Sequence, residues 1–171
     1  MKPFRIAARV LLSLVPLSLA ACVSPHDAGW NAYRHERFDE AAGKWDELAF
    51  AGDADAQYML GLLNDEGRIA GASAAAAVRW YQLAAEQGHA AAQNNLALCH
   101  FEGRGTPRDL AIARHWFELA AAQGFAKAEN NLGVLCLLLE PSDTERAQAL
   151  LASAASKGDS KAELVLAAMG R

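Results

Sequence analysis

The side chains that could carry out chemistry are few, and none of them forms a known catalytic motif. The sequence has five histidines and three cysteines. It contains no H-E-x-x-H zinc motif, no C-x-x-C pair, no phosphate-binding glycine loop and no G-x-S-x-G nucleophile turn. The segments Gly71-Ala72-Ser73 and Gly158-Asp159-Ser160 only partly match a nucleophile turn. Both lie where a helix is expected to begin, so we predict that their polar side chains cap helices. The sequence therefore predicts no catalytic residue and no enzymatic activity.

Two cysteines and two histidines could form a metal site only if three helices converged. These residues are Cys99, His100, His115 and Cys136. Cys99 and His100 are adjacent on one predicted helix, where successive side chains point about 100° apart. We therefore predict no bound metal and no cofactor.

Cys99 and Cys136 could also form a disulfide, because they are 37 residues apart on neighbouring predicted helices. Neighbouring helix axes pack at about 8–10 Å, whereas a disulfide needs Cα atoms within about 7 Å. Two buried thiols are the favoured prediction. The disulfide stays open as an alternative, because the N-terminal sequence, described next, predicts export to an oxidising compartment.

The N-terminus has the pattern of an export signal. Residues 1–9 carry three positive charges, and residues 10–21 are then almost entirely apolar. Twelve helical residues span about 18 Å, which is too short to cross a bilayer core of about 30 Å. The segment ends Leu19-Ala20-Ala21-Cys22, which resembles a bacterial lipobox. We predict a signal over residues 1–21 and lipidation of Cys22, followed by a short tether over 22–27.

The resemblance to a lipobox implies attachment to a membrane of the bacterial cell envelope. Three acyl chains on Cys22 would exceed the two signals that stable anchoring requires. Val23 follows where aspartate commonly signals inner-membrane retention, so an outer-membrane position facing the periplasm is expected. An ordinary signal with an incidental cysteine is the alternative.

Composition and charge favour a helical, acidic domain after this signal. Alanine accounts for 39 of the 171 residues, and such an excess favours helix over strand. The formal net charge is −4, and removal of Lys2, Arg5 and Arg9 with the signal makes it more negative. An acidic surface of this kind has no electrostatic footprint for nucleic acid. We therefore predict no nucleic-acid partner.

A repeat of 36 residues organises the rest of the chain. Gly52, Gly88 and Gly124 are 36 residues apart, and Gly158 follows after 34. The residue pairs Leu60-Gly61, Leu96-Ala97 and Leu132-Gly133 keep the same spacing. Each period predicts two helices, the first with an apolar stripe at i, i+4 and i+7. Asp53 is expected to cap the first helix, and Gly88 is expected to end the second in a left-handed conformation.

This pattern, A-x-x-x-L-G, then G-x-G, then A-x-x-W-[YF]-x-x-A-A-x-x-G, resembles the Sel-one-like repeat, a relative of the tetratricopeptide repeat. The resemblance covers about residues 28–169. It implies an all-α, right-handed α/α solenoid of about four stacked helix pairs over residues 28–171. In the first two copies an aromatic pair, Trp80-Tyr81 and Trp116-Phe117, is expected to fill the space between neighbouring helices. The third copy departs from the pattern, because Leu150-Leu151 replaces this pair.

The family resemblance also implies that the first helices line a concave surface that binds proteins or peptides. Helix phase places a mixed set of apolar and amide side chains opposite the buried stripe. This predicted partner-binding set is Tyr58, Leu62, Asn94, Leu98, Phe101, Asn130 and Val134. The expected function is a lipid-anchored, non-catalytic scaffold.

Two alternatives stay open at this point. One is a cell-wall-associated protein that binds peptidoglycan peptides or modulates a wall hydrolase. The other is a structural subunit that self-associates weakly through its last helix, which carries Leu164, Val165 and Leu166. The partner itself is not specified by the sequence.

Overall fold

The computed structural model describes residues 24–139 and 143–170. Over these residues the chain forms α-helices joined by turns, without a strand. The helices are α1 (Pro25–Arg34), α2 (Phe38–Phe50), α3 (Ala54–Asp65), α4 (Ala74–Glu86), α5 (Ala90–Glu102), α6 (Leu110–Ala122), α7 (Ala126–Leu139), α8 (Thr144–Ser156) and α9 (Ser160–Met169). Within the described ranges, no helix combines the length and the apolar character that crossing a membrane requires. The predicted signal and Cys22 lie outside the described residues.

Consecutive helices pack together as the 36-residue period predicts. The first helices of the repeats, α3, α5 and α7, each pack against the second helix of the same repeat, which is α4, α6 and α8. Each second helix also packs against the first helix that follows it. Helices α1 and α2 form one more pair upstream, and α9 packs against α8. The prediction of an all-α solenoid of about four helix pairs is confirmed.

Helix α1 begins earlier than the repeat pattern indicates. Pro25 occupies its first turn, and the side chain of Ser24 accepts a hydrogen bond from the backbone N–H of Asp27 at 3.1 Å. Proline is favoured there because it has no N–H to leave unsatisfied. Residues 25–27, expected to belong to a tether, are therefore helical. Only Val23 separates Cys22 from the capping Ser24.

The helix ends follow the predicted capping residues. Asp53, Ser73 and Asp159 each accept a hydrogen bond from the backbone N–H three residues further on, at 2.8, 3.2 and 3.0 Å respectively. These bonds satisfy donors that the first turn of a helix leaves free. Gly88 has a φ of +89°, which confirms the left-handed turn expected after α4.

One fully buried side chain fills the space between the two helices of each pair. These plug residues occupy the same repeat position and are at most 1% exposed: Trp45, Tyr81, Phe117 and Leu151. The first helix of each pair carries a residue with little or no side chain at the matching position: Gly29, Gly61, Ala97 and Gly133. A Cβ atom added to Gly61 would lie 2.5 Å from Cδ1 of Tyr81. The ring thus packs directly on helix backbone.

The neighbouring tryptophans pack at the margin of the core and are not plugs themselves. Trp80 and Trp116 were expected to fill the interhelix space together with Tyr81 and Phe117, but both tryptophans are only half-buried. Adjacent residues on a helix point about 100° apart, so only one of each pair can face the first helix. The Trp80 ring instead meets Phe50 edge-on, with centroids 5.5 Å apart.

Helix α9 buries less of its surface than the other helices. Ala162 is its one fully buried residue, while Val165 and Leu166 are half-buried against the core cluster of α8. Leu164 is 72% exposed. Self-association through this helix stays a prediction, and of the three apolar residues named for it Leu164 is the exposed one.

A buried glutamine on each of α3 and α5 joins successive repeats. The Gln57 side chain donates to the carbonyl of Ala49 at 2.9 Å and accepts from Gln87 at 2.7 Å. The next repeat has the same arrangement, in which Gln93 donates to a carbonyl of α4 at 3.0 Å and accepts from Gln123 at 2.8 Å. Each glutamine thereby ties a first helix to the preceding second helix.

The third repeat replaces these amides with an ion pair. Glu129 stands where Gln57 and Gln93 stand, and its Oε1 accepts from Lys157 Nζ at 2.6 Å and from Ser153 at 3.0 Å. A carboxylate has no N–H, so it cannot donate to a preceding helix carbonyl. Its Oε2 is buried and has no hydrogen-bond partner. Lys157 is therefore the cation that compensates a buried charge.

The contact between Gly61 and Tyr81 gives the first prediction. Gly61→Ala should lower the free energy of unfolding by about 1–3 kcal/mol, because the buried ring must move to admit the methyl group. Gly43→Ala is the matched control, since a Cβ there meets nothing within 4 Å. That change should raise stability by about 0.5–1 kcal/mol through helix propensity. Urea denaturation followed by circular dichroism measures both, and a Gly61→Ala protein as stable as the parent would contradict this packing.

The second prediction concerns the buried ion pair. Lys157→Ala should cost about 2 kcal/mol, because it leaves the Glu129 carboxylate without its cation. The double change Glu129→Gln with Lys157→Gln should recover most of that loss by rebuilding the amide pair of the first two repeats. Lys161→Ala, which removes an exposed lysine that makes no ion pair in the described ranges, should change stability by less than about 0.5 kcal/mol. A double variant no more stable than Lys157→Ala would contradict this account.

Candidate functional site

The first helices share one surface, and a cleft lies toward its C-terminal end. We call the surface lined by α3, α5, α7 and the start of α9 the first-helix face. The cleft has a volume of about 560 Å³ and lies between α5, α7 and the turn before α9. Its lining residues are Asn94, Asn95, Leu98, Glu102, Lys127, Asn130, Asn131, Gly158, Asp159, Ser160 and Lys161. Volumes in this range are typical of ligand sites.

The structure brings three predicted partner-binding residues, Asn94, Leu98 and Asn130, into this polar cleft. Asn94 and Asn130 are 3% and 5% exposed, so they form its floor and not the open surface that helix phase alone suggests. The reason is that α5 and α7 lie side by side, which brings asparagines of successive repeats within hydrogen-bond distance.

A second, apolar groove of about 50 Å³ adjoins the cleft. Leu98, Phe101 and Val134 line it together with Phe117 and Asn131. Leu98 belongs to both depressions, so the polar cleft continues into a small apolar one. A ligand that lies across both could place one side chain in the groove.

Tyr58 and Leu62 lie one repeat upstream and line neither depression. The Tyr58 ring is stacked on His89, with centroids 4.6 Å apart. Burial, followed by the influence of Tyr33 and Glu66, raises the pKa of Tyr58, and a hydrogen bond from Asn95 offsets this only in part. Leu62 is half-buried against the upstream core cluster.

His89 has a role that its position after Gly88 did not reveal. It caps α5, and its Nδ1 accepts a hydrogen bond from the backbone N–H of Ala92 at 3.1 Å. The ring proton therefore belongs on Nε2, which lies 3.2 Å from a carboxylate oxygen of Asp55.

The floor of the cleft is a directional chain of hydrogen bonds among four asparagines. Asn130 donates to Asn131 at 3.4 Å, Asn131 donates to Asn94 at 2.9 Å, and Asn94 donates to Asn95 at 3.1 Å. Beyond Asn95 lie the phenol groups of Tyr58 and Tyr81 of the preceding repeat; burial raises the pKa of both, and the Asn95 amide lowers it in part. Bonds that point the same way along a chain polarise and strengthen one another.

The series of hydrogen bonds begins at Asn130, where one acceptor has no partner. The Nδ2 group of Asn130 donates into the chain, while its buried Oδ1 has no hydrogen-bond partner. A buried acceptor without a partner costs about 1–3 kcal/mol. A ligand that supplies an N–H or O–H donor to this atom would recover that free energy.

Of the charged side chains at the rim, the two carboxylates have partners within the protein, whereas the two lysines form no ion pair among the described residues. Glu102 pairs with Arg104 at 3.0 Å, and the Asp159 carboxylate accepts from two backbone N–H groups of α9 at 3.0 Å. Lys127 and Lys161 are exposed, and neither forms an ion pair with any part of the chain that the structure describes. The cleft therefore offers two amines and one vacant acceptor.

The repeat register contains a signal for four cleft residues that the predicted set omits: Asn95, Asn131, Lys127 and Lys161. Asn94-Asn95 and Asn130-Asn131 are 36 residues apart, and Lys127 and Lys161 are 34 apart, which is the spacing of the shortened third repeat. Equal spacing places side chains on the same face of stacked helices. The two asparagine pairs and the two lysines can thus be predicted to lie side by side.

The cysteines and histidines form neither a disulfide nor a metal site among the described residues. Cys99 and Cys136 are buried thiols without a disulfide between them, as the helix spacing favours. Burial, with the nearby Glu102 adding to it, raises the pKa of the Cys99 thiol to about 11, so it is protonated and unreactive at neutral pH. No group of three or more histidine, cysteine or acidic residues within residues 24–139 and 143–170 could hold a metal ion.

Comparison with known proteins identifies the repeat. The Sel1 repeat model matches residues 54–89, 90–125 and 126–159. A Sel1 repeat protein from Oxalobacter formigenes is similar in structure, with a TM-score of 0.73 and 31% sequence identity, over 81% of this chain and 58% of that one. No curated protein matches the sequence.

A second solved structure supports the fold alone. It is c5321, described as a protective antigen of uropathogenic Escherichia coli strains with an SLR fold. Its TM-score is 0.77 at 24% identity, over 85% of this chain and 32% of that one. The present chain thus spans little more than half of one of these relatives and about a third of the other. Proteins built from this repeat are typically non-catalytic scaffolds that bind other proteins. Because the repeat model matches three consecutive units that make up more than half of the sequence, the chain belongs to the Sel1 repeat family.

Proposed function

We propose that this protein is a scaffold that binds a segment of a protein or peptide through the first-helix face, at the cleft between α5 and α7. The observation that carries the proposal is the open hydrogen-bond chain in that cleft, which ends at the vacant Oδ1 of Asn130. A peptide backbone presents N–H and C=O groups at regular intervals. Asparagine amides can pair with both.

The shape of the site agrees with a segment and not with a small compact ligand. The polar cleft of about 560 Å³ and the apolar groove adjoin at Leu98, so an extended chain can lie in one and place a side chain in the other. The floor is already held by its own hydrogen bonds, and a preorganised floor reduces the ordering cost of binding.

We also propose that the protein is anchored by lipid at Cys22, with its solenoid facing the periplasm from the outer membrane. The support is the basic and apolar pattern of residues 1–21 and the lipobox-like end at Leu19-Ala20-Ala21-Cys22. Because α1 starts at Pro25, such an anchor would hold the solenoid close to the membrane. Anchoring raises the effective concentration of the scaffold for partners at the same surface.

Site-specific photo-crosslinking in intact cells tests the binding face. A photoreactive phenylalanine analogue at Lys127, on the rim of the cleft, should form a discrete protein adduct. The same analogue at Arg79, which is exposed on α4 and does not line the cleft, is the matched control and should not form that adduct. Adducts at Arg79 but not at Lys127 would place the interface on the second helices and contradict the proposal.

Replacement of Cys22 tests the anchor separately. Cys22→Ser should abolish incorporation of labelled palmitate and release the protein from the membrane fraction, because serine has no thiol to be alkylated. Val23→Ala keeps the cysteine and should leave both unchanged. A Cys22→Ser protein that still carries labelled lipid would contradict lipidation at this residue.

A further inference from the structure

Helix α9 corresponds to the first helix of a further repeat, but within the described ranges no second helix of that repeat packs against it. Ala167 stands at the position that receives a plug residue, 34 residues after Gly133. Glu163 stands four residues before Ala167, at the position of Glu129. One side of α9 thus carries the residues that a second helix covers elsewhere.

The exposure of these positions in α9 differs from that in the earlier first helices. The equivalents of Glu163 are at most 6% exposed: Gln57, Gln93 and Glu129. The equivalents of Ala167 are also buried: Gly61, Ala97 and Gly133. Glu163 and Ala167 are themselves exposed, and Leu164, adjacent to Glu163, is 72% exposed. The earlier first helices are covered at these positions by their own second helices, and α9 is not.

Each second helix meets these two positions with two side chains that are six residues apart. The first is the plug, which rests on the small residue: Tyr81, Phe117 and Leu151. The second donates a hydrogen bond to the glutamine or glutamate of the first helix: Gln87, Gln123 and Lys157. The spacing of six residues is the same in all three repeats. A helix that covers α9 is therefore expected to follow it.

The charge of the second side chain follows the charge of its acceptor. Gln57 and Gln93 each accept from a glutamine, whereas Glu129 accepts from Lys157 at 2.6 Å. Glu163 is again a carboxylate, and it forms no ion pair within residues 24–139 and 143–170. A carboxylate binds a cationic donor more strongly than a neutral one. The side chain that fits Glu163 is therefore basic.

We propose that this side of α9 binds an amphipathic helix of a partner protein in the manner of a second helix. A large apolar side chain of that helix rests on Ala167, and a lysine or arginine six residues further along binds Glu163. Recognition of a helix through a few regularly spaced anchors is a common binding mode. Neither Glu163 nor Ala167 lines the cleft between α5 and α7, so this inference does not depend on the proposed peptide site.

Helix α6 provides the probe, because it packs on Ala97, which is an alanine like Ala167. The probe is a peptide of residues 109–124, which carries the plug Phe117 and Gln123. A staple between positions 111 and 115, both exposed on α6, keeps it helical, since isolated helices of this length are marginal in water. Its Gln123→Lys version adds the cation that fits Glu163. Each peptide is titrated into the full chain, carrying Cys22→Ser, and ¹⁵N NMR follows the backbone amides.

The Gln123→Lys peptide should shift the amide signals of residues 163–168 with a Kd at least about fivefold below that of the Gln123 peptide, because its hydrogen bond is to a charged group. Glu163→Gln in the protein should remove this preference, since an amide pairs with glutamine as it does in the first two repeats. Phe117→Ala in the peptide should remove binding, because the plug is lost.

A matched pair of protein variants tests the seat of the plug. Ala167→Leu should abolish binding of the Gln123→Lys peptide, because the larger side chain fills the place on which the plug rests. Ala168→Leu should leave binding unchanged, since adjacent side chains point about 100° apart and leucine already stands at the equivalent position of α5, Leu98. Both positions are exposed, so circular dichroism should show the same helix content in the two variants.

Four results would overturn the proposal. The first two are equal affinity of the parent protein for the Gln123 and Gln123→Lys peptides, and no shift of the α9 amides by either peptide at millimolar concentration. Shifts confined to the amides of Asn94, Asn130 and Asn131 would place the peptides in the cleft, which contradicts this inference and supports the proposed peptide site. Sedimentation that shows a dimer of the parent protein and a monomer of Ala167→Leu would assign this side of α9 to a second copy of the chain.

Discussion

The structure depends on one recurring contact, in which a buried side chain of a second helix rests on a residue with almost no side chain in the first helix. Trp45 against Gly29, Tyr81 against Gly61 and Leu151 against Gly133 are such contacts, and a hypothetical Cβ would lie 2.5 Å from the plug at Gly61 and 2.9 Å from it at Gly133. Protein interiors are packed too densely to accept an added methyl group at such a point without rearrangement. The contact therefore sets how closely the two helices of a repeat approach. Because it recurs at every repeat, it also stacks the repeats in one register.

The cleft is a consequence of that register. When successive first helices are equally placed, Asn94 and Asn131 come within 2.9 Å of each other, and a row of amides forms across the first-helix face. The third repeat is where the regular pattern changes: Glu129 and Lys157 replace an amide pair, and Lys127 and Lys161 introduce positive charge. The buried charge is compensated within the fold, whereas the exposed charges at the rim are not. This difference separates residues that hold the solenoid together from residues available to a ligand.

Much of the fold could be predicted, because the signals that specify it are local and repeated. Glycine spacing gives the period, Asp53 and Gly88 mark helix ends, and helix phase identifies the buried stripe. The details that were missed depend on neighbours outside the local sequence. Nothing near His89 indicates that its Nδ1 caps a helix, and the choice between Trp80 and Tyr81 as the plug depends on where Gly61 lies across the pair. Helix phase likewise places Asn94 and Asn130 correctly on the face, but their burial follows from contact between repeats, which a single helix cannot reveal.

The most direct test of the central claim is a crystal structure of the full chain, carrying Cys22→Ser, bound to a peptide from the protein that the photoreactive analogue at Lys127 captures. The account predicts that the peptide lies in the cleft between α5 and α7. One of its backbone N–H groups should be about 2.9 Å from Asn130 Oδ1. A peptide bound on the second helices, or one bound in the cleft while Asn130 Oδ1 accepts from another protein group, would contradict it.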